Sequence, residues 1–144
     1  GELCLLEIAA RGGGMFISSD IVPLACGVEP EEILLRLHLG ERVETPSPTC
    51  DRAAGFYCIG PPPGRLLSIE GLDELRALPS VHRVVCDLAE GDIVEEMAHK
   101  ASRPGVITFS ADSRDRLEEA LDELKAVLAF RFEVDGAPRT MPLE

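Results

Sequence analysis

A chain of 144 residues with 45% hydrophobic content is long enough to bury one compact core, or two small ones sharing an interface, without help from disulfides or metal. Its 14 basic and 26 acidic residues leave a net charge of −12, and the basic ones are scattered singly. That balance argues against partners with phosphodiester backbones or anionic lipid surfaces, so neither nucleic acid nor membrane is expected. The five cysteines are odd in number and lack CxxC spacing, and no apolar stretch approaches the ~20 residues that span a bilayer, so a soluble protein of the reducing cytoplasm is expected.

The chain begins directly in an apolar run with no initiator Met, and its expected origin is a longer protein. Leu143 and Glu144 are set aside as a candidate vector scar. Leu3, Cys4, Leu5, Leu6 and Ile8 have the pattern of a strand buried on both faces. Without partner strands such a segment would present an apolar edge, and self-association into a homodimer would follow from it. After Gly12, Gly13 and Gly14 the pattern turns helical. Ser18, Ser19 or Asp20 is expected to cap a short helix that runs through Ile21, Val22, Leu24 and Ala25 to Gly27. A second helix starts at Pro30, carries Glu31 and Glu32 near its positive end, lines Ile33, Leu34 and Leu37 on one face, and stops before Gly40.

Residues 41 to 53 hold Pro46, Pro48 and turn formers with little apolar periodicity, which places the expected domain boundary here: residues 1–45 form one unit and 46–142 another. The second unit reads as a hairpin, Phe56 to Ile59 and Arg65 to Ile69 around Pro61-Pro62-Pro63-Gly64, followed by a helix through Leu72, Leu75 and Leu78. Strands over Val81 to Leu88 and Val106 to Ser110 come next, then an amphipathic helix from about Ser113. A last strand alternates, with Phe130, Phe132 and Val134 inward and Arg131, Glu133 and Asp135 outward. The order implies an α+β fold in which a small, mostly antiparallel sheet carries its helices on one face.

Candidate chemistry concentrates near the N-terminus. Glu7 interrupts an apolar strand and needs a cation or donors to compensate it. Arg11 falls where that strand should end, and the glycines behind it can turn successive N–H groups toward an anion. A plainer alternative stands beside this one: Glu7 and Arg11 pair with each other or with other neighbours, and Gly12 to Gly14 are a flexible turn.

The stretch Glu7-Ile8-Ala9-Ala10-Arg11-Gly12-Gly13-Gly14-Met15-Phe16-Ile17, followed by Asp20 to Val28 and by Leu39-Gly40-Glu41, resembles the closing segment of ATP-grasp domains. What the resemblance implies is that Glu7 ligates the magnesium bridging the ATP phosphates. It implies that Arg11 faces the transferred phosphoryl group or the substrate carboxylate, with Gly12, Gly13 and Gly14 as the cofactor-binding loop. Ala9 stands where that family usually has Asn, a departure shared by the branch that includes L-amino-acid ligases, and it implies a magnesium site built differently or weaker. Carbamoyl-phosphate-synthase-like chemistry stays open beside the amino-acid ligase branch. Pro62-Pro63-Gly64-Arg65, Ser68 to Leu72 and Leu78 to Val81 resemble the C-terminal domain of the same branch.

The implied parent is an ATP- and Mg²⁺-dependent ligase that joins a carboxylate to an amine through an acylphosphate. The present segment, lacking a recognisable phosphate-covering loop, nucleotide-binding lysine or adenine pocket, is expected to be inactive alone. The alternative is a small-molecule-sensing or oligomerisation module, since small α/β sandwiches serve both roles. Other pairings read more simply as structure. Glu95 and His99, four apart, are taken as an acidic solvated face, His38 as a boundary residue, His82 and Cys86 as parts of a packed strand, and Pro61 to Pro63 as a turn rather than a polyproline ligand.

Overall fold

The computed structural model describes residues 4–8, 11–96, 103–134 and 136–142. Its element order is a π-helical turn Ile17–Ile21 leading directly into α1 (Val22–Cys26), then α2 (Pro30–His38), β1 (Ala53–Ile59), β2 (Gly64–Glu70), α3 (Leu72–Ala77), β3 (Val81–Cys86), β4 (Ile93–Val94), β5 (Gly105–Ala111), α4 (Arg114–Val127), β6 (Ala129–Val134) and β7 (Ala137–Pro142). The fold is α+β and every strand pairing is antiparallel, in keeping with the sequence. The strands divide between two sheets: one of three in the order β1-β5-β3, and one of four in the order β4-β2-β6-β7.

This division corrects the expected hairpin. β1 pairs with β5 and β2 pairs with β4 and β6, so β1 and β2 belong to different sheets. Three consecutive prolines explain the difference. Each fixes φ and removes an N–H, so Pro61 to Pro63 cannot form a tight hairpin turn and instead carry the chain from one sheet to the other. β7, which local periodicity does not mark, pairs among the described residues only with β6, and its two prolines are tolerated because it is an edge.

The core forms between the two sheets and the helices. Ile59, Leu66, Leu75, Ile107, Phe109, Leu117, Ala120, Leu124, Leu128, Phe130 and Phe132 make one buried cluster. Residues 117, 120 and 124 repeat at helical spacing, which turns one stripe of α4 onto the sheets. Ser113 caps that helix, its hydroxyl accepting from the Arg116 N–H at 3.3 Å. Phe130 and Phe132 alternate inward as expected, while Arg131 and Glu133 are exposed. Gly71 precedes α3 with φ of 82°, and a methyl group there would run into the Val127 carbonyl at the end of α4.

β5 is covered on both faces, and this is what positions the N-terminal segment. Ile107 and Phe109 enter the core; Val106, Thr108 and Ser110 alternate with them and are also buried. The π-helical turn packs against β5 and β1, and α1 against β1. The segment after α2 returns to the end of α1, where the Thr49 and Arg52 N–H groups donate to the Cys26 and Ala25 carbonyls at 2.9 Å each.

The expected N-terminal strand is not formed over the described residues 4–8. They make no ladder, and Leu5, Leu6 and Ile8 are exposed, because no strand among the described residues lies beside them. α2 begins at Pro30 as expected, but it too buries nothing: Leu34, Leu35 and Leu37 are each about half exposed or more.

Candidate functional site

The glycine stretch enters the π-helical turn through two left-handed residues, Met15 with φ of 55° and Phe16 with φ of 59°. Side chains at such angles are uncommon and need surrounding structure to hold them. No side chain caps the turn, which corrects the capping role expected of Ser18, Ser19 or Asp20. The physical reason is that these groups have other partners. Ser18 Oγ reaches back and accepts the Gly13 N–H at 2.9 Å, and Asp20 points into the protein.

Arg11, Gly12 and Gly13 come together with Ser18, Pro30, Glu31, Leu34 and His38 around one open groove of about 820 Å³. The wall is formed by the glycine loop on one side and α2 on the other. Arg11 is exposed there, with one guanidinium nitrogen 3.2 Å from the Gly12 carbonyl. His38 Nδ1 lies 2.8 Å from the Leu34 carbonyl, and because a carbonyl only accepts, Nδ1 carries the proton and Nε2 is the nitrogen left for another partner. The groove thus sets one permanent cation and one imidazole, which suit a carboxylate or phosphate, beside the Glu31 carboxylate on the α2 wall, which opposes one.

Two of the sequence-derived site residues stand outside the groove. Gly14 does not line it, and Glu7 lies upstream among exposed residues. Ala9 and Ala10 lie outside the described residues. His99 likewise lies outside, as do Leu3, Asp135 and the pair Leu143 and Glu144. Among the described residues no three His, Cys, Asp or Glu side chains converge into a metal cluster. Glu7 fits a hard cation as one carboxylate ligand. Magnesium commonly takes only one or two protein carboxylates, the rest of its octahedron being water and phosphate oxygen.

A second constellation was not visible in the sequence. Asp20 is 1% exposed and receives two hydrogen bonds from Arg83, at 2.7 and 3.1 Å, and a third from the Thr108 hydroxyl at 3.0 Å. Burial pushes the Asp20 carboxyl up, but hydrogen bonds from Arg83, Thr108 and Ser19, with the Arg83 charge, outweigh it and hold the group below its ordinary value. The same carboxylate raises Arg83 further. Phe16 covers the guanidinium from the other side, its ring centre 4.7 Å from Cζ. The only sequence signal was a charged residue, Asp20, inside a helical apolar pattern; its partners lie 63 and 88 positions away.

Residues 56–133 match the family of the L-amino acid ligase C-terminal domain 2. The chain belongs to that family. Its fold also matches the crystal structure of the L-amino acid ligase from Bacillus licheniformis with a TM-score of 0.70 and 27% identity, over 87% of this chain and 31% of that one. The chain therefore spans about a third of that ligase's length. No curated protein matches.

Proposed function

We propose that this chain is the C-terminal region of an ATP-dependent ligase that joins amino acids through an acylphosphate, and that it supplies the anion-binding edge of that site. The observation that carries the reading is the Arg11 groove, attached to a domain of the L-amino acid ligase family. ATP supplies the phosphoryl group that turns a carboxylate into an acylphosphate, whose carbonyl is then attacked by an amine with release of phosphate.

This chain's residues serve that chemistry by charge and position. Arg11 sits at the mouth of a donor-bearing loop, where a guanidinium offsets negative charge on a phosphoryl group or holds a carboxylate in line. Gly12 lets backbone approach such an anion closely, and Gly13, its own N–H tied to Ser18, fixes the loop's path. Glu7 is the carboxylate for magnesium. The remainder of the ligase brings the nucleotide pocket and the two substrates. No helix among the described residues is long and apolar enough to cross a membrane, and the reading places the reaction in the cytoplasm.

The test is ATP-dependent phosphate release by the full-length ligase with Mg²⁺ across a panel of amino-acid pairs. Release that needs both amino acid and ATP, and that disappears in Glu7→Ala and Arg11→Ala, is the expected outcome. No release with any pair, or full activity in both variants, refutes the reading. The 144-residue chain alone is expected to release no phosphate; turnover by it would show that the site is complete without the rest.

A further inference from the structure

The Asp20 cluster is larger than a surface ion pair. Arg83 grips a buried carboxylate through two nitrogens while Phe16, from the same N-terminal segment, lies over its plane. Phe16 immediately precedes the turn and Asp20 lies within it, on either side of Ser18 in the chain, and Ser18 holds Gly13. A continuous path therefore runs from the sheet through Arg83 to the glycine loop that lines the groove.

How Arg83 comes to face this segment follows from strand register. Val81 pairs with Phe109, yet Arg83 and not His82 pairs with Thr108, because β3 carries a bulge between Val81 and Arg83. A regular ladder would set His82 opposite Thr108. The extra residue re-aims the strand so that Arg83 and the Thr108 hydroxyl converge on one carboxylate.

We propose that Arg83 is a positioning residue for the anion-binding loop, acting through Asp20 and Phe16 to fix the backbone of Gly12 and Gly13 and the approach of Arg11. The inference rests on the ligase reading for its functional half. The second domain then contributes to catalysis without touching substrate. Arg83 is suited to this as lysine is not: its planar fork meets the carboxylate through two nitrogens while its face stacks on a ring.

The experiment has two readouts. In the 144-residue chain, ¹⁵N relaxation of the amides from Gly12 to Ile21 is compared between wild type, Arg83→Met, Arg83→Lys and Phe16→Leu, with β5 and α4 amides as the internal reference. Arg83→Met is expected to mobilise residues 12–21 while β5 and α4 stay ordered, Arg83→Lys to fall between it and wild type, and Phe16→Leu to mobilise the segment with the buried pair intact. In the full-length ligase, the kcat for phosphate release is expected to fall roughly 10- to 100-fold in Arg83→Met with the KM for ATP within about twofold, and to recover in part in Arg83→Lys, since small misplacements from remote changes cost that much.

An unchanged relaxation profile in Arg83→Met overturns the proposal. If that variant does not fold, the same profile in Phe16→Leu and Arg83→Lys decides instead, and order retained in both overturns it. A mobilised loop with wild-type kcat refutes the functional half. A ligase that releases no phosphate with any amino-acid pair, while Arg83→Met still loosens residues 12–21, defeats the ligase reading and leaves the structural link standing.

Discussion

Gly71 and Gly91 make a matched pair for separating backbone strain from steric overlap. Both are left-handed, with φ of 82° and 93°. Around Gly91 a methyl group would meet nothing within 4 Å, whereas at Gly71 it would overlap the Val127 carbonyl, a backbone atom that cannot swing aside like a flexible side chain. Alanine in this region costs ~1–2 kcal/mol of conformational strain. Restriction of the unfolded chain returns ~0.4–1 kcal/mol of that. Gly91→Ala should therefore lose between ~0 and ~1.6 kcal/mol. Gly71→Ala carries the same strain plus ~1–3 kcal/mol for forcing the α3 entry away from the end of α4. With ~2.1 cal/mol/K of unfolding entropy per residue, 1 kcal/mol corresponds to about 3 °C in this chain, so Gly71→Ala should melt roughly 3–9 °C below Gly91→Ala. Thermal unfolding followed by circular dichroism measures both. Equal melting temperatures would show that the α3–α4 approach yields freely, and the packing argument at Gly71 would be wrong.

Two further outcomes follow from individual side chains. Asp20 titrates below its ordinary 3.8 in the folded protein. Its stabilising contribution is therefore complete above the unfolded value and is lost as pH falls through the depressed folded one. In urea melts, the stability gap between wild type and Asp20→Asn should stay level from about pH 7 to 5 and close only below ~3.8; a gap constant to about pH 2.5 would contradict the assigned direction. Ser113→Ala removes the hydroxyl that accepts the Arg116 N–H and should cost ~1 kcal/mol, while Ser113→Asp should cost much less. Equal losses in the two would mean that the cap does not stabilise α4.

The parts of the fold legible in the sequence were those set by local periodicity. α4 announced itself through Leu117, Ala120, Leu121 and Leu124, β6 through alternating Phe130 and Phe132, and α2 through Pro30 and its acidic first turn. Features that depend on distant pairing were not. Pro61-Pro62-Pro63 rules out a tight hairpin turn, but which sheet each flanking strand joins is set by the distant partners β5 and β6, and the bulge in β3 exists only relative to β5. β7 was obscured by prolines that are harmless on an edge strand. For the site, Arg11, Gly12 and Gly13 were readable because they lie close together in sequence, and the structure brings them to one groove. His38 has only the pattern of a boundary residue in the sequence, since its approach to the loop depends on how α2 folds back. Residues 4–8 carry a strong strand pattern with no partner among the described residues to express it.

The Asp20 cluster has a consequence for how related sequences should vary. The family unit, residues 56–133, contains Arg83 and Thr108, while the carboxylate that both of them hold lies at position 20, outside it. The two stretches are therefore not free to drift apart as independent modules. A lineage that loses the acid at position 20 strands a cation and a hydroxyl on the sheet, and one that loses Arg83 strands a buried anion. Substitutions at the two positions should be inherited together, and swapping residues 56–133 between members of this family should succeed most readily among those that agree at both.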